Sequence, residues 1–412
     1  MTYGEFVDDA LFHPSWGYYS TGGVRFGEGG HYDTYPLALS PYFGRMVAGL
    51  AVRTWRRLGC PARFEICELG AGNGQLCLDT LLWIDARATR TATWRRFAAA
   101  TRYRIVERSR ALAARQRLQL GPLARRVTWI DADLAQRPPR RRFGAAGLLI
   151  ANEVLDCLPH EKIRAGSAGE PRVGGVAATL AGRNLTRAAL ARAMAAPTTR
   201  RRVRWRETSL PLASRPALAA FVAQYYAELA GTHRDRPPVF VAPRMATLLA
   251  NTARCYARAE ALWVDYGDAR PFHLGASEAR KAFAGPPRSG RSVFDAPGED
   301  DITFMVDFTL AMQAATAAGW RVLASGPQGG LARLAGVRLD AATETIIRQR
   351  ALTWMLALAG VGPERDWRRG AVGWSRGAAQ TGTVPLRRYV ERSLREFARQ
   401  RGATFKLLLL SR

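Results

Sequence analysis

One stretch near the start of the chain constrains the fold more than any other. Residues 63–69 read as a short buried strand, residues 76–82 begin an apolar helix, and the turn between them contains Gly70, Gly72 and Gly74. Glycine reaches left-handed backbone angles and lets a ligand approach the main chain closely, and the first N–H groups of the helix can bind that ligand. The strict dinucleotide fingerprint needs a third glycine where this chain has Gln75. The stretch therefore predicts a cofactor-binding turn of another kind, with a plain structural turn as the alternative.

Strand and helix patterns alternate after this stretch, which is typical of a parallel sheet with helices on both faces. Apolar segments predict six strands and a final buried strand, at 64–69, 102–107, 127–130, 147–151, 261–267, 320–323 and 407–410. We therefore expect an α/β fold with a Rossmann-like sheet. Ligands of such sheets bind beyond the carboxyl ends of the strands, so the residues that follow each strand are the candidates for the site.

Acidic residues follow three of these strands. Glu107, past strand two, can accept hydrogen bonds from both hydroxyls of a ribose. Either Asp131 or Asp133, past strand three, can accept one from an adenine amino group. Past strand four, Glu153 and Asp156 are three residues apart, which places both carboxylates on one side of a helical turn. A guanidinium would suit this pair because its donors match carboxylates; the alternative is a capped helix with a structural aspartate.

The spacing of these elements divides the chain into four parts. Residues 1–60 are rich in glycine and aromatic residues and read as a lid over the cofactor or substrate, with a packing arm as the alternative. Residues 61–163 form the cofactor-binding core. The pattern weakens over 164–258, which we interpret as an insertion between strands four and five that contacts a substrate or partner. Residues 259–412 complete the core and form the C-terminal segment.

The net charge of +27 would normally suggest a nucleic acid or an anionic membrane as a partner. Nearly all basic residues are arginines, they are scattered, and alanine is abundant, a combination that a GC-rich genome produces. We therefore expect no nucleic-acid partner. Five cysteines without a CxxC pair predict neither a metal site nor a disulfide framework, which favours the cytoplasm. No apolar run is long enough to predict a membrane span.

Several motifs resemble, in the right order, those of the MidA-like methyltransferases. They are the segment 3–44, Glu68-Leu69-Gly70-Ala71-Gly72-Asn73-Gly74, Tyr103-Arg104-Ile105-Val106-Glu107, Asn152-Glu153-Val154-Leu155-Asp156-Cys157-Leu158-Pro159, Val264-Asp265-Tyr266-Gly267 and Asp301-Ile302-Thr303-Phe304-Met305-Val306-Asp307-Phe308. The Glu-x-Gly-x-Gly-x-Gly run is the pattern of class I S-adenosylmethionine methyltransferases. The resemblance implies that fold and S-adenosylmethionine as methyl donor. Because the family includes a mitochondrial complex I assembly factor that methylates a protein arginine, it also implies a protein arginine as methyl acceptor.

The resemblance assigns roles to the candidate residues. The cofactor would be held by Glu68, Gly70, Gly72, Gly74, Glu107, Asn152 and either Asp131 or Asp133. Glu153 and Asp156 would orient the acceptor nitrogen and balance its charge. A homodimer is a further expectation for the assembly.

Two departures from the family affect the acceptor side. The family has an aspartate after its paired glycines where this chain has His31, and the glutamate after the family's proline is replaced within Leu37-Ala38-Leu39. A less acidic pocket makes a small molecule a rival acceptor. His31 or Tyr32 could then act as a base on a hydroxyl group.

Two further classes of function stay open. A non-catalytic assembly factor would keep the fold as a scaffold and bind a partner through residues 164–258, although the intact Glu68, Glu107 and glycines favour an enzyme. A nucleic-acid methyltransferase acting on an exocyclic amine would have Asn/Asp-Pro-Pro-Tyr/Phe after strand four. The run Asn152-Glu153-Val154-Leu155 is not that motif.

Overall fold

The computed structural model describes residues 1–24, 26, 34–166, 170–227, 229, 238–269, 292–349, 383–398 and 405–412. Thirteen strands in this part of the chain form two sheets. The main sheet contains β1 (Phe64–Leu69), β2 (Thr101–Val106), β3 (Val127–Ile130), β4 (Gly144–Asn152), β10 (Tyr256–Asp268), β11 (Val306–Asp307), β12 (Arg321–Pro327) and β13 (Phe405–Ser411). The second sheet contains β5 (Glu161–Ala165), β6 (Pro171–Leu180), β7 (Arg183–Asn184), β8 (Arg204–Pro211) and β9 (Val239–Val241).

The main sheet has the strand order β12-β13-β10-β4-β1-β2-β3, and β11 pairs with β10 beside this path. Strands β10, β4, β1, β2 and β3 are parallel to one another. Strand β13 runs antiparallel to both β10 and β12. This arrangement confirms the predicted Rossmann-like α/β sheet. The largest difference in bounds is at β10, which begins five residues earlier than predicted, at Tyr256, and ends one residue later, at Asp268.

Helices flank the sheet and fill the N-terminal segment. They are α1 (Tyr3–Phe12), α2 (Tyr35–Ala38), α3 (Tyr42–Arg57), α4 (Gln75–Ala88), α5 (Ala92–Ala100), α6 (Arg110–Leu120), α7 (Arg187–Ala195), α8 (Pro197–Arg200), α9 (Pro216–Tyr225), α10 (Pro243–Thr252), α11 (Phe308–Ala317), α12 (Gly330–Ala335) and α13 (Thr383–Ala398). Residues 342–349 are also helical, and the rest of a helix predicted at 346–358 lies outside the described residues. No helix in the described ranges is long and apolar enough to cross a membrane.

The two faces of the main sheet are buried in different apolar layers because side chains alternate along a strand. In β4, Leu148 and Ile150 face the layer that contains α3 and α4, whereas Leu149 and Ala151 face the layer that contains α10 and α11. Both faces being covered explains why β4 reads as a nearly continuous apolar run in the sequence.

The second sheet was not visible in the sequence pattern. Its strand order is β7-β6-β5-β9, with β8 paired along most of β6. It lies between β4 and α10 in the chain, inside the stretch where helix and strand signals weaken. Strand β6 contains one proline, two glycines and two alanines, and these residue types are depleted in strands. Antiparallel pairing, rather than local propensity, therefore determines this sheet.

The N-terminal segment is tied to both sheets. Thr2 forms a bridge with Gly175 of β6, and the half-buried Glu161 carboxylate accepts hydrogen bonds from the Thr2 hydroxyl (2.7 Å) and the Gly4 N–H (3.0 Å). One turn further along α1, Asp8 pairs with Arg108, which follows β2, at 3.4 Å and with Arg244 of α10 at 2.8 Å. Helix α1 therefore packs as a bridge between the sheets, and the predicted lid function stays a prediction.

An ion pair between the half-exposed Arg57 and the buried Glu260 joins α3 to β10 and supplies a test of the packing. Glu260, which is 3% exposed, accepts hydrogen bonds from the Thr54 hydroxyl (2.5 Å) and from the Arg57 Nε (2.6 Å), and its second oxygen also contacts Arg57 Nη2. In Glu260→Gln an amide N–H would face the donors of Arg57. We expect the free energy of unfolding to fall by about 1–3 kcal/mol, measured by urea denaturation. An unchanged denaturation midpoint would show that the half-exposed Arg57 is fully compensated by water.

Candidate functional site

A large pocket opens at the carboxyl ends of β1, β2 and β4. The strand register places Leu69 beside both Val106 and Ala151, so the residues that follow these three strands lie along one edge of the sheet. The pocket is lined by these loops, by Arg244 and Leu248 of α10, and by Phe12, Tyr19, Phe26, Thr34, Pro36 and Leu37 from the N-terminal segment. The position agrees with the rule for open α/β sheets.

The glycine turn forms one wall of this pocket. Gly70, Gly72 and Gly74 all have left-handed backbone angles, with φ of 62°, 55° and 90°. A Cβ atom on Gly72 would lie 3.4 Å from the Phe26 ring, so this ring of the N-terminal segment packs directly against the turn. Gly70 and Gly72 line the pocket, whereas Gly74 caps α4 and packs against Gln116. Gly74 is therefore needed for the turn itself and does not face the ligand.

Glu68 is a buried carboxyl group at the end of β1. It lines the pocket and accepts a hydrogen bond from the Tyr103 hydroxyl at 2.6 Å. Burial raises the pKa of Glu68 to about 7, and the nearby Glu107 adds to the rise, while the Tyr103 hydrogen bond opposes it. A carboxyl group with such a pKa can change its charge near neutral pH when a cation binds beside it.

Glu107 lies directly after β2 and also lines the pocket. Its carboxylate accepts hydrogen bonds from the Ser109 N–H (2.8 Å) and from Gln116 Nε2 (3.0 Å). The same Gln116 nitrogen donates to the Gly72 carbonyl at 3.0 Å, which joins Glu107 to the glycine turn. Burial raises the pKa of Glu107, and these hydrogen bonds lower it again. Gln116 was not among the predicted site residues, because nothing in the sequence marks a helical glutamine 42 residues after the glycines.

The two aspartates predicted for adenine recognition are in different environments. Asp133 lines the pocket, pairs with Arg108 at 2.8 Å and accepts a hydrogen bond from the Ala135 N–H at 2.9 Å. Asp131 has a side chain that is 62% exposed and pairs with Arg110 on the surface at 3.2 Å. Of the two alternatives, the structure therefore brings only Asp133 into the pocket.

Asn152 ends β4 and leaves a buried polar atom facing the pocket. Its Nδ2 donates to Glu153 Oε1 at 3.2 Å, whereas its Oδ1 is buried without a hydrogen-bond partner among the described residues. Buried polar atoms in proteins almost always have a partner. A ligand donor can supply that partner, and together with Gly70, Gly72 and the acids at the strand ends, which line the pocket, the residues fit S-adenosylmethionine.

Glu153 and Asp156 lie on the turn after β4, and both line the pocket. Glu153 has a left-handed φ of 52°, which is unusual for a residue other than glycine and costs roughly 1–2 kcal/mol. Asp156 is 2% exposed and accepts a hydrogen bond from the Tyr266 hydroxyl at 2.7 Å. The structure therefore places both predicted acceptor residues together, and the strained backbone at Glu153 is typical of a functional site.

Three further polar residues of this wall were not predicted as site residues. Tyr19 donates a hydrogen bond to Asp301 Oδ1 at 2.8 Å, and its hydroxyl lies 3.2 Å from the Cys157 sulfur. All three residues line the pocket. Burial and the nearby Asp156 and Asp301 raise the pKa of Cys157, which keeps it a neutral thiol. The motif resemblance included each of these positions. Only the fold shows that Tyr19 and Cys157, which are 138 residues apart in the sequence, are in contact.

His31 and Tyr32, the candidate bases for a hydroxyl acceptor, lie outside the described residues. Their catalytic function stays a prediction.

Comparison with known proteins identifies the family. A family described as S-adenosyl-L-methionine-dependent methyltransferases matches residues 46–326, more than half of the chain. The chain belongs to this family. The predictions of a methyltransferase and of S-adenosylmethionine as its cofactor are confirmed.

Two relatives bear on the finer predictions for this methyltransferase. A Drosophila melanogaster protein named "Protein arginine methyltransferase NDUFAF7 homolog, mitochondrial" is 39% identical over 77 residues, which is 19% of this chain and 17% of that protein. A crystal structure of a Burkholderia thailandensis protein bound to S-adenosyl-homocysteine matches 100% of this chain and 88% of that protein, with a TM-score of 0.65 and 22% identity. A native crystal structure of a protein from the same organism matches this chain with a TM-score of 0.63. The resemblance to the MidA-like family and the predicted fold are thereby confirmed.

The first prediction from this geometry concerns Glu107. In Glu107→Ala, the methyltransferase loses a carboxylate that can accept hydrogen bonds at the end of β2. Gln116, which also donates to the Gly72 carbonyl of the glycine turn, loses one of its two hydrogen-bond partners. We expect the affinity for S-adenosylhomocysteine to fall by about 1.5–3 kcal/mol, the range for a hydrogen bond to a charged group, as measured by calorimetry. The matched control is Asp131→Ala, an exposed acid outside the pocket, which should leave the affinity unchanged. Equal effects of the two substitutions would contradict this placement.

The second prediction concerns pH. Because the pKa of Glu68 is about 7 in the folded state and 4.5 ordinarily, the folded chain retains a proton that the unfolded chain releases between these values. Stability must therefore fall as the pH rises through this window. Glu68→Gln should remove roughly 2 kcal/mol of that fall between pH 5 and pH 7, measured by urea denaturation at each pH. The same slope in both proteins would show that Glu68 is ionised in the fold.

Proposed function

We propose that this methyltransferase transfers a methyl group to the guanidinium of an arginine side chain in a protein. The observation that carries the proposal is the pair of carboxylates, Glu153 and Asp156, in the same pocket as the glycine turn. Asp301 lines the same pocket and is a further acid beside this pair. An acceptor with several N–H donors and a positive charge matches these groups better than a neutral one.

The chemistry follows from these positions. When bound, S-adenosylmethionine supplies an electrophilic methyl group. Glu153 and Asp156 would hold the guanidinium through its planar set of donors, so that one nitrogen faces the methyl group in line. A guanidinium keeps its proton in water, and a neighbouring carboxylate can take that proton as the new N–C bond forms. The Tyr266 hydroxyl keeps its own proton, since burial and the acids beside it raise the pKa of Tyr266, and it fixes the position of Asp156.

The cofactor would be held on the other side of the pocket. Glu68 and the glycine turn would face its methionine part, Glu107 its ribose and Asp133 its adenine, with Asn152 Oδ1 as a further acceptor. All of these except Gly74 line the pocket. The named function of the Drosophila relative supports an arginine acceptor, although the match to it is short.

A small-molecule acceptor is the second candidate. Thr34, Pro36 and Leu37 are the pocket-lining residues of the 34–40 segment, and none of them is acidic. An acceptor that needs fewer charges would fit this wall.

Acceptor identity can be tested directly. Lysate from the source organism, incubated with the enzyme and radiolabelled S-adenosylmethionine, should carry the label in its protein fraction, on methylated arginine after hydrolysis. Label in the small-molecule fraction would favour the second candidate, and label in RNA would overturn the expectation of no nucleic-acid partner.

The cytoplasmic location and a homodimer stay predictions.

The variants Glu153→Gln and Asp156→Asn test the acceptor side. If both carboxylates pair with a guanidinium away from water, each substitution should reduce turnover by tens-fold or more, because removing one partner of such a pair costs roughly 2–5 kcal/mol. The affinity for S-adenosylhomocysteine should change little in either variant. A lower melting temperature with normal turnover in the folded fraction would instead make Asp156 a structural residue.

A further inference from the structure

The turn that carries Glu153 and Asp156 is held from the neighbouring strand β10. The Glu153 N–H donates to the Val264 carbonyl at 2.8 Å, which fixes the start of the turn. The next residue of β10 is Asp265. Its Oδ2 accepts hydrogen bonds from the N–H groups of Leu155 (2.9 Å) and Asp156 (3.2 Å).

The orientation of this carboxylate is itself fixed. Asp265 Oδ1 accepts a hydrogen bond from the Tyr266 N–H at 2.8 Å, so both oxygens have backbone donors. Asp265 is 1% exposed and does not line the pocket, whereas the turn that it holds does. The Tyr266 side chain then reaches across to Asp156 Oδ2 at 2.7 Å. Two consecutive residues of β10 thus hold the backbone and the side chain of the same aspartate.

We propose that Asp265 is a positioning residue for methyl transfer, which acts by fixing the strained Glu153–Asp156 turn against β10. The inference rests on the acceptor site proposed above. A left-handed residue such as Glu153 persists only when its surroundings hold it, and Asp265 supplies two of the hydrogen bonds that do so. It does not touch the acceptor or the cofactor.

The electrostatics agree with a functional reason for this arrangement. Burial and the nearby carboxylates of Asp156 and Glu153 raise the pKa of Asp265 well above its ordinary value. Three acids so close together cost stability, and carboxyl groups with such shifted pKa values are concentrated at functional sites. The groups packed around Asp265 are Glu153, Asp156, Tyr266 and Cys157, and each belongs to the acceptor wall or directly supports it.

Asp265→Asn tests the hold on the turn without needing an acceptor. In the wild-type chain, three backbone N–H groups donate to the two carboxylate oxygens of Asp265. Asparagine has only one side-chain oxygen, so at least one of these donors loses its partner. With the full chain saturated by S-adenosylhomocysteine, amide hydrogen exchange in a peptide covering residues 153–158 should become about tenfold faster. The glycine turn should exchange as before. Unchanged exchange at 153–158 overturns the inference.

Glu260→Gln is the matched control for that experiment. Glu260 is a buried acid of the same strand, five residues earlier, and it contacts neither the turn nor the pocket. This variant should be less stable but should exchange normally at 153–158. Faster exchange in both variants would show a general loosening of β10 and would also overturn the inference.

Turnover separates positioning from stability. Labelling of the protein fraction by radiolabelled S-adenosylmethionine should fall about tenfold or more in Asp265→Asn, while the affinity for S-adenosylhomocysteine stays within about twofold. Because Asp265 acts through the Glu153–Asp156 turn, adding Asp265→Asn to Asp156→Asn should slow turnover by much less than Asp265→Asn does in the wild-type chain. Additive losses, or normal turnover in Asp265→Asn where Asp156→Asn is slow, overturn the inference. If Asp156→Asn has normal turnover, the proposed acceptor site fails, and hydrogen exchange alone then decides whether Asp265 holds the turn.

Discussion

Parallel pairing in the main sheet is the constraint on which the site depends. Ile130, Val106, Leu69, Ala151 and Trp263 lie side by side across five strands. The residues that come next along each strand therefore meet at one edge, although they are distant in sequence. A shift of one residue in any of these pairings would turn the corresponding side chains to the opposite face. The register thus positions the glycine turn, Glu107 and the turn that carries Glu153 and Asp156 relative to one another.

Burying carboxyl groups along this edge costs folding free energy, and each of them has its own set of hydrogen-bond donors. Glu68 has the Tyr103 hydroxyl, Glu107 has a backbone N–H and Gln116, and Asp265 has three backbone donors. Hydrogen bonds of this kind offset the loss of water around a charge. The remaining cost appears as raised pKa values at all three carboxyl groups. A protein selected for stability alone would not need so many buried acids along one edge of its sheet, whereas a site for the positively charged S-adenosylmethionine does.

The N-terminal segment completes the pocket from outside the main sheet. Tyr19 reaches Asp301 and Cys157, and the Ser109 hydroxyl donates to the Tyr19 carbonyl at 2.6 Å. On α1, Asp8 lies between Arg108 and Arg244, both of which line the pocket. The same helix is also hydrogen-bonded to Glu161 of the second sheet. A movement of the second sheet would therefore displace this part of the pocket wall.

The sequence by itself determined the strand–turn–helix unit, the places of the main strands along the chain, the enzyme class and the positions of Glu107, Glu153 and Asp156 beyond strand ends. These features follow from local periodicity, from glycine backbone freedom and from motif order, which are all written in consecutive residues. Only the tertiary structure decided that Asp133 and not Asp131 enters the pocket, that Gly74 faces Gln116, that Asp265 holds the turn after β4, and that Tyr19 contacts Asp301. The second sheet also needed the structure, since its pairing is between residues with weak strand propensity. In each case the deciding contact joins residues far apart in the chain, and no local pattern encodes the packing that brings them together.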